Sequence, residues 1–468
     1  MHSRFLPILT LLLAGCAPAL GPLPVAKTPA DLASAQSLAA PAAAWPAAEW
    51  WRGYGDPQLD ALIAEARAGA PDVAAAMARV RIAQALAQQA GAALAPSLEA
   101  SGSAGLSKQS YNNGIPPDFV PRGWNDRGDV SATASFDLDL WGRNRAALAA
   151  ATSEAEAARV DADQALLLLS AGIADAYAEL SRLYAGRDVA ERAVAVRQAS
   201  FALARDRVLI GLDNRGVQKL AEARLAAARG ALVQQDEAIA LTRNRLAALL
   251  GAGPDRGLAV TRPDQARLHA FGLPQNLAFD LIGRRPDLVA TRLRAEAAGS
   301  RIKQARAAFY PNINLTAVIG LQALGLNQLV DSGSTMGSIG PAISLPIFDH
   351  GRLAGQFRQS RGQYDLAVAD YDATLVGALR EVADAAASIR ALQAQRAEAA
   401  QALAAAEEAH EIARLRYEGS LSPYLDVLTA EDSVLERRRA AADLDARAFT
   451  LDIALIRTLG GGYVSSSH

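Results

Sequence analysis

The feature that most constrains the fold of this 468-residue chain is an internal duplication. Pro71-Asp72-Val73 recurs as Pro286-Asp287-Leu288, 215 residues later, and Gly142-Arg143 recurs as Gly351-Arg352 at an offset of 209. A nearly constant offset over this distance indicates one structural unit present twice. The fall of six residues between the two landmarks indicates a longer loop in the first copy. We therefore expect a first repeat at 47–260 and a second at 261–468.

Each copy contains two segments in which apolar and polar residues alternate. Val130 to Leu140 shows the pattern clearly, with Val, Ala, Phe and Leu alternating with Ser, Thr and Asp. Period-two alternation predicts strands with one apolar and one polar face. About ten residues suffice for a tilted strand to cross a bilayer. The segments predict strands at about 97–107, 130–141, 312–322 and 337–347.

After the second strand of each copy the pattern becomes helical. Residues 143–209 and 352–418 contain no proline and few glycines, and at 1.5 Å per residue each stretch would be about 95–100 Å long. Each stretch ends at a turn, Gly211 to Asn214 or Gly419 to Pro423. Leucine-type residues then recur every seven positions, as in a coiled coil. We expect helical hairpins at about 143–250 and 352–459.

The beginning of the chain resembles a lipoprotein signal peptide. A basic residue and a short apolar run precede Leu13-Ala14-Gly15-Cys16, which resembles the lipobox of bacterial lipoproteins. We expect a signal peptide at 1–15 and Cys16 as the lipidated first residue of the mature chain. Residues 16–46, rich in Ala, Pro and Ser, predict an extended tether. Ala17 in place of aspartate favours the outer membrane.

Composition excludes several other classes of protein. The chain has 47 basic and 49 acidic residues and a net charge of −2, so no overall charge favours nucleic acid. One cysteine excludes disulfides within the chain and zinc knuckles. The five histidines are scattered, and no HExxH, GxSxG or phosphate-loop motif occurs. We expect no enzymatic activity, no cofactor and no metal site.

Four strands require more than one chain. A closed membrane barrel needs at least eight strands, and an open sheet edge is not tolerated in lipid because its backbone groups lack partners. Two chains would supply eight strands with a filled interior, and three would supply twelve with room for a lumen. The strand count alone leaves both possibilities open.

Several motifs resemble those of one family. Asp56 to Ile63, after Trp50-Trp51, resembles the opening of the outer membrane factor family, the TolC-like channels. Leu281 to Asp287, followed by Ala305 to Pro311, resembles the hallmark of its NodT-type lipoprotein branch. The resemblance covers essentially the whole mature chain. It implies a mixed α+β membrane protein.

The resemblance also implies an assembly and a function. We expect a homotrimer with a 12-stranded barrel in the outer membrane and an α-helical barrel in the periplasm. Such a trimer would be the passive exit duct of a tripartite efflux or export system, with a periplasmic adaptor and an inner-membrane transporter as partners. The alternative is a periplasmic adaptor lipoprotein, which would also have a lipobox and a coiled-coil hairpin. An adaptor has one hairpin, however, whereas this chain has two hairpins and four alternating strands.

Four further residues are candidates for roles in the channel. Trp141, Tyr310 and Phe348 flank the predicted strands and could form an aromatic girdle at the periplasmic boundary of the bilayer; plain packing under the barrel is the alternative. Asp426 matches the family's closing helix, where inward-facing aspartates narrow the periplasmic entrance. The position of a second such aspartate is Thr429 here. Alternatively, Asp426 caps or solvates the start of the returning helix.

Overall fold

The computed structural model describes residues 18–112, 114–264 and 267–465. The predicted signal peptide and Cys16 lie outside these residues. The α-helices are α1 Pro57–Gly69, α2 Pro71–Ala92, α3 Arg143–Leu209, α4 Arg215–Leu249, α5 Asp255–Leu258, α6 Leu277–Arg284, α7 Pro286–Ala307, α8 Arg352–Glu418 and α9 Tyr424–Thr458. The strands are β1 Ser97–Ser107, β2 Asn125–Asp137, β3 Asn312–Leu324 and β4 Thr335–Ser344. In the described part of the chain, no helix has both the length and the apolar character needed to cross a membrane.

The second strand differs from its predicted bounds of about 130–141. It begins five residues earlier, because Asn125–Asp129 pair with the end of β1, where Ser107 lies opposite Asn125. These polar residues do not alternate with apolar ones, so the hydropathy pattern did not reveal them. The strand ends at Asp137 because Asp139 has a left-handed φ of 44°, and its carboxylate accepts a hydrogen bond from the backbone N–H of Arg145 in α3.

The other strands differ less from their predicted bounds. β1 spans the predicted residues, and β3 extends two residues beyond the predicted 322. β4 begins at Thr335 instead of 337 and ends at Ser344, three residues before the predicted end. Pro346 follows shortly after, and its ring nitrogen has no hydrogen to donate to a neighbouring strand.

The four strands form one antiparallel sheet in the order β1-β2-β3-β4. The central pair joins the two sequence repeats, since Phe136 of β2 lies opposite Leu315 of β3. At the same end of the sheet, Asn312 of β3 lies opposite Ser344 of β4. Within the described residues, β1 and β4 each pair with one neighbour only.

The chain forms two compact units, and each contains segments of both sequence repeats. Among the described residues, those within 1–26, 80–158 and 291–371 form the first unit, and those within 27–79, 159–290 and 372–468 form the second. The grouping differs from the predicted repeat boundary at 260/261 because strands of different repeats pair with each other in the sheet.

The first unit contains the sheet and the helix ends that adjoin it. Asp349 caps the start of α8, because its carboxylate accepts a hydrogen bond of 2.9 Å from the backbone N–H of Leu353. Phe309 and Phe357 make an edge-to-face contact with centroids 6.1 Å apart. Further along α8, the Arg361 guanidinium donates hydrogen bonds to the backbone carbonyls of Leu20, Gly21 and Pro22.

The second unit has the larger apolar core. Asp56 begins α1 as its N-cap, since its carboxylate accepts from the backbone N–H of Gln58 at 2.8 Å, and it also accepts from the hydroxyl of Tyr177 at 2.6 Å. The side chains around this contact are buried: Trp50, Trp51, Tyr54, Leu59, Ile63, Ile173, Tyr177, Leu246 and Ile453. Long helices are therefore joined to the short N-terminal helix by packing and by a buried polar contact.

Arg285 is a second buried polar anchor in this unit. Only 7% of its surface is exposed. Its guanidinium forms a two-point contact with Asp287, at 2.9 and 2.5 Å, and donates to Glu381 at 2.9 Å. It also donates to the backbone carbonyl of Thr458, at 3.3 Å. One side chain thus joins the start of α7 to both helices of the second hairpin.

The predicted tether contacts α8 and a nearby loop. In the second unit, the backbone N–H of Lys27 donates to Asp372 at 2.8 Å, and Arg390 donates to the carbonyls of Ser37 and Ala39. Ala42 forms a parallel bridge with Leu273. The segment contains a short 3-10 helix, Pro29–Asp31, and is bound to the unit at several points.

Candidate functional site

The aromatic residues proposed as a girdle all lie at one end of the sheet. Trp141 follows the end of β2 by four residues, Tyr310 precedes β3 by two, and Phe348 follows β4 by four. Trp141 and Tyr310 stack with centroids 4.8 Å apart, and the Trp141 indole donates to the carbonyl of Pro311 at 2.7 Å. Phe348 is 81% exposed and contacts the ring of His350. The structure thus brings two of the three together.

Beside the stacked pair is a cavity of about 320 Å³ where the sheet adjoins the helices. Its lining includes Asp137 and Arg143, which form an ion pair at 2.9 Å. Asp139 also lines it. Its carboxylate accepts hydrogen bonds from the backbone N–H groups of Asn144, at 2.9 Å, and Arg145, at 3.0 Å. Both carboxylates therefore already have partners.

The two helical hairpins end in matching turns, which we call the tips. Gly211 and Ser420 adopt left-handed φ angles of 79° and 58°. At each turn, a backbone N–H returns to a carbonyl of the preceding helix, from Leu212 to Arg207 at 2.9 Å and from Leu421 to Arg416 at 2.8 Å. This pattern ends a helix by satisfying its last carbonyls.

A polar cluster joins the two tips; we call Arg207, Asp213, Tyr417 and Ser420 the tip cluster. The Tyr417 hydroxyl donates to Asp213 at 2.5 Å, and the Arg207 guanidinium donates to the same carboxylate at 2.9 Å. Arg207 also lies 4.4 Å from the centre of the Tyr417 ring. Burial and the Asp213 charge raise the pKa of Tyr417, so its hydroxyl stays protonated and able to donate.

Apolar side chains pack beside the tip cluster. Tyr417 and Tyr424 lie with ring centroids 5.2 Å apart. The two tyrosines belong to a buried cluster to which all four hairpin helices contribute. Its other members are Ala204, Ala221, Val427 and Leu428. The two tips thus form one packed element.

Asp426 lies in the first turn of α9, and its side chain is exposed. A carboxylate in this position interacts favourably with the positive end of the helix dipole. Thr429, at the position of the family's second aspartate, donates its hydroxyl to the backbone carbonyl of Leu425 at 2.9 Å. The hydroxyl hydrogen of Thr429 is therefore used in a hydrogen bond within its own helix.

Behind the tips lies a charge cluster of Arg197, Arg224, Glu431 and Asp432, in which Arg197 and Glu431 are buried. Arg197, on α3, donates to Glu431 at 3.0 Å and to Asp432 at 2.5 Å, both on α9. Arg224, on α4, donates to the second oxygen of Asp432. Arg197 and Glu431 are 5% and 2% exposed.

The two acids of this cluster differ in their environment. Burial raises the pKa of Glu431, against the attraction of Arg197. Among the described residues, its Oε1 atom has no hydrogen-bond partner. For Asp432, burial is outweighed by the hydrogen bond with Arg224 and the charge of Arg197, which lower its pKa. The charged form is therefore less favourable for Glu431 than for Asp432.

Sequence reasoning missed both clusters. Arg207 and Tyr417 are 210 residues apart, which is the offset of the repeat, so the duplication contained a usable signal. Arg197 and Glu431 are 234 residues apart and occupy no equivalent positions. Within the described residues, no group of three or more His, Cys, Asp or Glu side chains could hold a metal ion.

Four strands of bilayer-crossing length, each pair followed by a long helical hairpin, define a subunit of the outer-membrane channel class. The chain belongs to the outer membrane efflux protein family, whose family model matches residues 62–252 and 277–461. The two matched segments fall in the two sequence repeats.

Relatives and solved structures agree with this assignment. The chain is 37% identical over 367 residues to the fusaric acid resistance protein FusA of Burkholderia cepacia, spanning 74% of this chain and 67% of that protein. It is 30% identical over 442 residues to the multidrug resistance outer membrane protein MdtP of Escherichia coli K12, spanning 93% and 90%. The crystal structure of the outer membrane protein VceC of Vibrio cholerae matches with a TM-score of 0.84 and 45% identity, over 89% of this chain and 100% of that chain. The chain is an outer membrane channel protein.

Proposed function

We propose that this chain is the exit duct of a tripartite efflux or export system and works as a homotrimer. The observation that carries the proposal is the open four-stranded sheet, whose edge strands β1 and β4 each have one free side within the described residues. In lipid, unpaired backbone groups cost several kcal/mol each. Edge-to-edge pairing of three copies would give twelve strands around a lumen.

The resistance names of two relatives support the partners that we propose. MdtP is named for multidrug resistance and FusA for resistance to fusaric acid. We infer that this chain also conducts small organic compounds, which a periplasmic adaptor and an inner-membrane transporter deliver to it. In this proposal the duct itself is a passive conduit from the periplasm to the exterior.

Planar-bilayer recording and mass measurement test the proposal. Purified full-length protein should have three times the chain mass after correction for detergent, and it should form ion-conducting pores of uniform size. A stable monomer would contradict the assembly. Protein that inserts but conducts no ions would contradict the duct and favour the alternative of an adaptor lipoprotein.

We propose that the tips form the periplasmic gate and that Asp426 contributes a ring of three carboxylates. Asp426 is exposed on the first turn of α9, close to the packed tips. A ring of like charges attracts cations and repels anions. Asp426→Ala should lower cation selectivity and weaken block by multivalent cations added on the periplasmic side.

A matched control separates the ring from general surface charge. Asp206 is an exposed carboxylate near the end of α3, paired with Arg205. Asp206→Ala removes the same charge near the other tip and should leave selectivity unchanged. If Asp426→Ala and Asp206→Ala behave alike, the gate does not depend on Asp426.

We also propose that Cys16 carries the lipid anchor. The support is its position after Leu13-Ala14-Gly15 and the absence of any other cysteine from the sequence. Mass spectrometry of the membrane-bound protein should find a triacylated cysteine at the start of the mature chain, and Cys16→Ser should abolish this mass. An unmodified Cys16 in membrane-bound protein would contradict the proposal.

Finally, we propose that Phe348, which follows the end of β4, marks the periplasmic boundary of the bilayer. Phe348 is the member of the proposed girdle that is available to lipid, because it is exposed, whereas Trp141 and Tyr310 stack on each other beside a cavity. A tryptophan placed by Phe348→Trp should be quenched by lipids brominated near the headgroup more than by lipids brominated at the chain end. Equal or absent quenching would place Phe348 away from the boundary.

A further inference from the structure

We propose that the cavity beside Trp141 and Tyr310 is a binding subsite for aromatic carboxylates that pass through the duct. The proposal rests on the proposed function, because it names a class of solute for that duct. The cavity volume of about 320 Å³ lies at the lower end of the range for small-molecule pockets.

The cavity lies on the polar face of the sheet. Asp137 lies opposite Asn314, and Asn312 lies opposite Ser344. Residues that lie opposite each other in a sheet, or two apart along a strand, share a face. Asp137, Asn312 and Ser344, which line the cavity, therefore belong to one face. In a membrane barrel the polar face lines the lumen, so the cavity would open on the route of exported solutes.

Among the described residues that line the cavity, one arginine is available to bind an anionic ligand. Asp137 accepts from Arg143 at 2.9 Å, and Asp139 accepts from Arg145 at 3.2 Å as well as from backbone N–H groups. Arg352 forms no ion pair within the described residues, and its guanidinium donates one long hydrogen bond of 3.4 Å to Gln356. A guanidinium with free donors favours a carboxylate, which it can hold at two points.

The aromatic pair supplies the second recognition element. Trp141 and Tyr310 are nearly parallel, with 21° between their planes, and 45% of Trp141 is exposed. Aromatic rings associate favourably in offset stacks, so a ligand ring could add to this pair while its carboxylate binds Arg352. An aliphatic acid would lose the stacking contact, and a neutral aromatic amide would lose the charge contact.

Saturation-transfer NMR on the full-length, detergent-solubilised protein tests this subsite, with benzoate, benzamide and acetate as probes. We expect benzoate to bind more tightly than either of the others. Arg352→Gln should weaken benzoate binding at least about tenfold, since a hydrogen bond to a charged group is lost, and should leave benzamide unaffected. Trp141→Leu should weaken both aromatic probes, and Trp141→Phe should restore much of the binding.

Arg358→Gln is the matched control, because Arg358 is an exposed arginine on α8 that does not line the cavity. It should leave benzoate binding unchanged. Benzoate binding that is not saturable, that equals acetate binding, or that survives Arg352→Gln would overturn the subsite. Conductance of the same preparation separates the two proposals: pores without a benzoate site refute the subsite alone, whereas the absence of pores refutes the duct.

Discussion

Replacement of Arg197 by methionine tests the charge cluster behind the tips. The change keeps a long side chain but leaves Glu431, 2% exposed, without its partner. A buried, unpaired carboxylate takes up a proton instead of remaining charged. The ordinary pKa of the group is 4.5, so protonation at about pH 7 costs at most about 3.4 kcal/mol, at about 1.4 kcal/mol per pH unit.

This penalty should depend on pH in a defined direction. Because the unfolded chain ionises Glu431 above its ordinary pKa, the cost of Arg197→Met should fall by up to about 1.4 kcal/mol for each pH unit below 7. An unfolding entropy of about 2.1 cal/mol/K per residue gives about 1 kcal/mol/K for the chain. Arg197→Met should therefore lower the Tm by about 3 °C at about pH 7 and by much less near pH 5, as measured by circular dichroism of the detergent-solubilised protein.

Two further variants test whether the loss of stability comes from the unpaired Glu431. Glu431→Gln added to Arg197→Met removes the unpaired acid and should restore most of the lost stability. Arg224→Met is the control, because its partner Asp432 has a half-exposed side chain and such a pair contributes about 0–1 kcal/mol. A loss of Tm for Arg197→Met that is equal at both pH values, or that Glu431→Gln does not reduce, would refute the reasoning.

Glu431→Gln alone tests the direction in which protonation of Glu431 changes the stability of the fold. Because burial raises the pKa of Glu431 above its value in the unfolded chain, the folded state binds the proton more tightly. The contribution of Glu431 to stability is therefore fully present below the unfolded pKa and is lost as the pH rises through the folded pKa. At neutral pH the variant should be at least as stable as the wild type. As the pH falls, the stability of the wild type should increase relative to that of the variant.

Three further sites test other contacts, and the first two are each compared with a control variant. Arg285→Met should cost about 2–4 kcal/mol in a thermal melt, because it removes the buried guanidinium that binds Asp287 and Glu381. Arg284→Met should cost under about 1 kcal/mol, since it removes a cation–π contact with Trp45. Gly460→Ala should prevent accumulation of folded protein in membranes, because φ is 87° and a Cβ would collide with the backbone carbonyl oxygen of Arg284. Gly253→Ala has open space around the added Cβ and should fold. Tyr417→Phe removes the hydrogen bond between the tips and should raise the open probability in bilayers; an unchanged open probability would exclude the tip cluster from gating.

The periodic parts of the fold were readable from the sequence. Residues 143–209 and 352–418 form helices with the predicted bounds, because long runs without proline and with helical spacing satisfy their hydrogen bonds locally. The alternating segments likewise predicted four strands, because one face of each is apolar along its length. Family membership also followed from contiguous motifs, such as Leu281 to Asp287, and the family model confirms it.

Strand ends were less predictable because they depend on partners distant in the chain. Asn125–Asp129 have no alternating pattern, and they are a strand only because β1 extends far enough to pair with them. The end of β2 depends on the left-handed backbone of Asp139 and on its hydrogen bond to Arg145. Hydropathy averages over a window and cannot register a single capping carboxylate.

The duplication, the helical and strand periods and the signal-like start were determined by the sequence alone, because each depends on residues near each other or on a fixed offset. Only the tertiary structure decided that Arg197 meets Glu431, that Tyr417 meets Asp213, and that Trp141 and Tyr310 stack beside a cavity that Arg352 also lines. These contacts join residues that are about 170 to 234 positions apart. A polar side chain in a helix has the same local pattern whether it is exposed to water or buried against a partner, so its role depends on which helices pack beside it.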